Sequence, residues 1–166
     1  MDTGVVELSW VFVDRDGDPI YPAGQFVQGN RSSCGLPGRI GNEAVRYDLQ
    51  VELEICDATC PVGCGGEGCA VIDPLRFSCK TARGSDPDIP SSDEPYRFTI
   101  RPVLRVGDTV CRDPEPTCVA VPGPRERKVR PGLVTDLHVY QIVVDVDQGA
   151  PRSGDGSLDL EACGCA

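Results

Sequence analysis

The sequence predicts an all-β protein: an antiparallel β-sandwich of about seven strands with disulfide-stapled loops. The prediction rests first on residues 45–55, VRYDLQVELEI, where Val45, Tyr47, Leu49, Val51, Leu53 and Ile55 are apolar and Arg46, Asp48, Gln50, Glu52 and Glu54 between them are polar or charged. Side chains alternate faces along a strand, so this stretch buries one face and wets the other. A helix needs apolar residues near i+3 and i+4, which a period of two does not supply as one stripe. Further stretches of the same kind follow, separated by Pro- and Gly-rich turns. The third observation is ten cysteines among 166 residues.

A chain of 166 residues has room for one domain with a real core. Aromatics are 5 % of the chain, so Val, Leu and Ile must build that core. The net charge of −10 argues against nucleic acid, whose phosphates would repel it. It suits solubility and permits Ca²⁺ or a basic partner. The cysteines imply either disulfides in an oxidising compartment or reduced metal sites. Common structural zinc sites carry paired C-x₂-C units, often with histidines. Here His138 is the single histidine and no C-x₂-C occurs. Disulfides, and with them a secreted or cell-envelope location, are the expectation. No run approaches the ~18 apolar residues of a membrane span. Residues 1–4 show no charged region followed by an apolar one. We therefore expect that a natural export signal, with or without a lipid anchor, has been removed ahead of Met1.

Residues 5–13 form the first strand, with Val6, Leu8, Trp10 and Phe12 on one face and Trp10 filling the core. A loop follows from Asp14, and residues 29–41 are loop carrying Cys34. After the central strand comes a Cys- and Gly-rich excursion, 56–69, held by its own bridges. Residues 71–80 are the next strand, placed by Pro74 at an edge or a bulge, and 81–95 are a polar loop. In 96–106, Tyr96, Phe98, Ile100, Leu104 and Val106 face one way and Arg97, Thr99, Arg101 and Arg105 the other. Pro102 suggests a bulge or an edge there. If this strand neighbours the central one, the acidic stripe Asp48, Glu52, Glu54 meets the basic stripe Arg97, Arg101, Arg105. Residues 119–121 and 128–130 are candidate short strands. The last long strand is 134–146, whose apolar parity changes between Val139 and Ile142, as a bulge or burial on both faces would require. The expected organisation is a domain over 1–147 and a Gly/Ser/Asp-rich tail over 148–166, with an immunoglobulin-like or prealbumin-like arrangement of strands.

Tyr96-Arg-Phe-Thr-Ile100, followed by Val129-Arg-Pro-Gly-Leu-Val-Thr-Asp-Leu137, resembles the closing strands of carboxypeptidase-regulatory-like and Cna-B-type sandwiches. Leu8-Ser-Trp-Val-Phe12, Cys34-Gly35 and Phe77-Ser-Cys79 resemble small secreted lipoproteins of soil bacteria that carry this domain. Glu94-Pro95 stands where the family usually places a Gly two residues before the Tyr, and the excursion and the tail lie outside the pattern. The resemblance implies a stalk, spacer or binding module without catalysis.

Among candidate sites, Asp14-x-Asp16-Gly17-Asp18 has the carboxylate density of a Ca²⁺ loop, although Gln25 stands where an EF-hand needs its bidentate Glu. Asp145, Asp147, Asp155 and Asp159 are further candidate oxygen donors. His138 alone offers a near-neutral base, and no G-x-S-x-G is present, so no enzyme is predicted. Cys163-Gly-Cys165 lacks the C-x-x-C spacing of a redox pair.

For the bridges we expect Cys34–Cys79 to tie the halves of the sandwich and Cys111 to pair with Cys118. Cys56, Cys60, Cys64 and Cys69 should pair among themselves, with Cys56–Cys69 favoured. Cys163 and Cys165 remain, able to join each other only in a strained ring. The functional expectation is a non-catalytic extracellular or cell-envelope structural or binding module for an unknown protein or surface component. The alternatives are a Ca²⁺-dependent or redox-active accessory protein, and a disulfide-stapled protease inhibitor presenting residues 56–69.

Overall fold

Two β-sheets enclose one apolar core. The computed structural model describes residues 2–14, 16–21, 35–60, 64, 68–144 and 158–165. In the first sheet β1 (Thr3–Val13) has β11 (Val134–Val144) on one side and both β2 (Pro19–Tyr21) and β6 (Arg83–Pro90) on the other, while β9 (Val119–Ala120) borders β11. The second sheet runs β10 (Arg125–Arg127), β7 (Tyr96–Val106), β4 (Glu43–Asp57), β3 (Gly35–Ile40), β12 (Leu158–Asp159). There β5 (Leu75–Ser78) adds to β4 and β8 (Thr109–Arg112) to β7.

The period-two pattern translates directly into burial. On β4, Tyr47, Leu49, Val51, Leu53 and Ile55 are buried, and on β7 Phe98, Ile100 and Leu104 join them. Val6, Leu8, Trp10 and Phe12 of β1 meet them from the other sheet, with Leu137, Tyr140, Ile142 and Val144 of β11. Phe77 of β5 is half-buried at the margin of the core, with its ring centroid 5.7 Å from that of Trp10. Gly84 passes so close beneath that ring that a Cβ there would sit 2.7 Å from it.

Several expectations are corrected. The sheets are mixed rather than antiparallel throughout: β1 runs parallel to β11, and β12 parallel to β3. Alternation reports which face is buried and carries no information on strand direction. Within the expected loop 81–95, residues 83–90 form the edge strand β6. Only Ile89 of its apolar side chains is deeply buried, so the strand exists through backbone pairing with β1. Pro87 and Asp88 sit together opposite Val5 in a bulge, where the missing N–H of Pro87 costs no ladder bond. The strand expected over 71–80 contracts to β5, and residues 79–81 form a 3₁₀ turn. β8 was not predicted; it folds back on β7 through Gly107 at φ +58°. The candidate strand at 128–130 lies three residues earlier, as β10.

Pro102 is neither at an edge nor in a bulge. It keeps register with Val51 of β4, and on its other side β7 changes neighbour from β10 to β8. The Pro102 carbonyl accepts from Asp113 N–H on that side, so its N–H-less nitrogen faces away from β4. β11 does contain a bulge, at Leu137 and His138 opposite Leu8, with His138 at φ +65°. That is two residues before the predicted position, and it moves the buried set from Leu137 to Tyr140, Ile142 and Val144. Residues 145 and 146 lie outside the described residues.

Of the segment 148–166, residues 158–165 are described, and they pack into the core. Leu158, Leu160 and Cys163 are buried. Gly38 of β3 makes room: a Cβ there would stand 3.0 Å from both Leu160 and Tyr47.

Candidate functional site

The solvent side of β4 and β7 carries the charged stripes read from the sequence, and the two strands are neighbours in one sheet. Asp48 lies opposite Arg105 and Glu52 opposite Arg101, but the ion pairs form along diagonals and to outer strands. Arg101 reaches Glu54 Oε2 at 3.1 Å and Asp113 at 3.6 Å. Glu52 Oε2 takes Arg76 of β5 at 3.2 Å and Arg112 of β8 at 3.6 Å. Glu52 and Glu54 are buried although they stand on the polar parity of β4: Arg76 and Arg112 lie against Glu52, and Arg101 and Cys56 against Glu54. The alternation of 45–55 therefore marks the core side correctly and the wet side only as far as Asp48.

The excursion leaves β4 at Asp57 and returns beside it: Asp57 N–H donates to Cys69 O at 3.0 Å, Val71 N–H donates to Ile55 O at 3.0 Å, and Cys56 lies opposite Ala70. Its first turn is built by Asp57, whose Oδ1 accepts from Thr59 N–H at 2.9 Å and from the Thr59 hydroxyl at 2.7 Å. Those donors hold the Asp57 carboxyl below the usual carboxylate range, with a smaller contribution from Arg97. A lowered pKa means that this turn is fully stabilised above the ordinary aspartate range and loses that support as pH falls through the lowered one. Arg97, buried on β7, donates through Nη1 to Cys60 O at 2.9 Å and Ala58 O at 3.5 Å. Arg97→Ala should cost about 1.5–3 kcal/mol, the range for hydrogen bonds from a charged group. Amide exchange should rise at residues 57–60, and exchange unchanged there would show that Arg97 does not anchor the excursion.

Two bridges cross-link this loop, and they interlace. Cys56 pairs with Cys64 and Cys60 with Cys69, at Cα separations of 5.5 and 5.9 Å. The favoured Cys56–Cys69 pairing is thus corrected. Cys56 and Ala70 are strand partners and share a face, so Cys69, one residue along, points to the opposite face from Cys56. The Cys111–Cys118 expectation is corrected as well: Cys111 pairs with Cys165 and Cys118 with Cys163, at 5.0 and 6.1 Å. β8 and β9 belong to different sheets, and the chain's last residues lie where each can be clasped. Cys163 and Cys165 do not join each other. Cys79 is buried and disulfide-bonded; the expected Cys34–Cys79 pairing involves Cys34, which lies outside the described residues.

Asp14, Asp16 and Asp18 do converge, with one carboxylate oxygen of each within 4.8 Å of the others. Asp14 Oδ1 is committed to the backbone, accepting from Asp16 and Asp18 N–H at 2.9 Å each. Asp145, Asp147 and Asp155 lie outside the described residues. Asp159 Oδ1 accepts from Ala162 N–H at 3.3 Å in the closing turn. His138 is exposed, with Nδ1 3.5 Å from Asp136 Oδ2. A polar cleft of about 370 Å³ opens on the outer face of the first sheet, lined by Glu7, Ser9, Arg83, Ser85 and Asp136 with Leu8 and Gly84. Among the described residues no helix is long and apolar enough to cross a membrane.

No family model matches the chain, and comparison with curated proteins and with solved structures finds no match.

Proposed function

We propose that the chain is a non-catalytic extracytoplasmic module, a rigid two-sheet scaffold that presents its cross-linked excursion to a protein or surface component. The observation that carries this reading is the placement of the bridges. Two interlaced disulfides stiffen a loop on one face, and two more clasp the chain's end to both sheets. Such bridges persist outside the cytosol. The short motifs that resemble carboxypeptidase-regulatory-like and Cna-B-type sandwiches fit the same reading. The test is protein recovered from its natural source, quenched with an alkylating reagent and fractionated. Expected are no free thiols among the described cysteines and recovery with the envelope or medium. Free thiols throughout would overturn the compartment. Replacing residues 57–68 with a short turn should abolish retention on the envelope fraction, and unchanged retention would overturn the role of the loop.

The interlaced bridges also favour a second reading, a protease inhibitor, since a loop held in one conformation loses little entropy on binding a protease cleft. Stoichiometric inhibition of a trypsin-, chymotrypsin- or elastase-like protease, lost on replacing 57–68, would select it. The convergent Asp14, Asp16 and Asp18 support a Ca²⁺-dependent alternative. Under it, millimolar Ca²⁺ raises the melting temperature and Asp14→Asn removes the rise.

A further inference from the structure

Glu54 is buried and, among the described residues, makes one ion pair, through Oε2 to Arg101 at 3.1 Å. Its other oxygen, Oε1, points at Cys56 Sγ, 3.6 Å away. In the Cys56–Cys64 bridge that sulfur carries no proton and donates nothing. Among the described residues Oε1 has no other partner. A buried carboxylate oxygen facing a sulfur without a donor is a cost carried by the oxidised state. The two cysteines also differ in exposure: Cys56 is fully buried, whereas Cys64 is half-buried.

We propose that Cys56–Cys64 is a thiol-exchange site, modified at Cys64 by a small external thiol. The thiolate of the incoming molecule attacks Cys64 Sγ, on the less buried of the two cysteines, and the Cys56–Cys64 bond breaks. The product is a mixed disulfide on Cys64 and a thiol on Cys56, which retains the proton that the external thiol gave up. Atoms and electrons balance with that thiol as the sole co-reactant. The new Cys56 S–H then donates to Glu54 Oε1, supplying the bond that the closed bridge lacks. Glu54 is thus a positioning residue that favours the opened state at equilibrium. Its charge also disfavours a thiolate on Cys56, so opening is completed only with protonation. Cys60–Cys69 stays closed and keeps the ends of the loop together, while Cys64 is released from the sheet.

The experiment uses the full oxidised chain incubated anaerobically with reduced glutathione, acid-quenched at equilibrium, alkylated and mapped by mass spectrometry. Expected first is glutathione on Cys64 with a free thiol on Cys56, before Cys60–Cys69, Cys111–Cys165 or Cys118–Cys163 opens. Glu54→Gln should lower the equilibrium constant for opening about tenfold, since the acceptor that rewards the thiol loses its charge. Glu52→Gln is the control: it removes the charge of another buried carboxylate on the same strand, one paired with Arg76 and Arg112 and with no sulfur partner among the described residues, and should leave the constant unchanged. Opening of another of these bridges first, or glutathione on Cys56, would overturn the site. Equal shifts in both variants, or no shift in Glu54→Gln, would overturn the role of Glu54. If Glu54→Gln does not fold, the order of opening in the unmodified chain still decides the site.

Discussion

Replacing both Cys163 and Cys165 with alanine should lower the free energy of unfolding by about 4 kcal/mol, the chain-entropy value for a loop the size of that closed by Cys111–Cys165. The second clasp, Cys118–Cys163, closes a loop nested inside the first and adds less, because most of the denatured-state freedom is already gone. Native contacts are lost too. Cys163 is fully buried, and Leu158 and Leu160 nearby are buried where β12 pairs with β3. The measurement is a urea midpoint for the oxidised protein. A loss below about 1 kcal/mol would mean that the clasp is decoration on an already closed core. The variant leaves Cys111 and Cys118 free to join each other, so a quadruple alanine variant separates loss of the native bridges from formation of a wrong one.

Leu53→Ala should cost about 2–5 kcal/mol, the range for truncating a fully buried leucine where the surroundings cannot collapse. Leu53 has no exposed surface, lies opposite Ile100 on β7 and Leu75 on β5, and projects into the layer shared with β1 and β11. Strands pair on both sides of β4 at this point, which leaves the backbone little freedom to move into the cavity. A shift below about half a kcal/mol would place Leu53 on the wrong face of its strand. The neighbouring ion pairs on the opposite face contribute far less. Arg76 and Arg112 are more than a third exposed, so water screens their attraction to Glu52.

What the sequence by itself determined is the set of faces. Alternation in 45–55 and 96–106 and the even positions of β1 identify the residues that meet in the core, because side-chain parity along a strand is a local property. The charged stripes were legible for the same reason, and they lie on adjacent strands. The density of cysteines likewise marked the chain as disulfide-stapled. Only the tertiary structure decided what depends on strand order and direction. Whether β1 and β11 run parallel, whether the Pro-rich stretch 83–90 pairs with β1, and where the last residues lie are long-range facts that no local pattern encodes. Bridge connectivity belongs with them. Proximity in sequence favoured Cys111–Cys118, but a disulfide requires neighbouring Cα atoms and converging side chains. Those are set by the sheet to which each strand belongs and by the face on which its parity places the sulfur. Burial of Glu54 beside Cys56 is of the same kind: β4 supplies the residue, while Arg101 comes to it from the neighbouring strand β7.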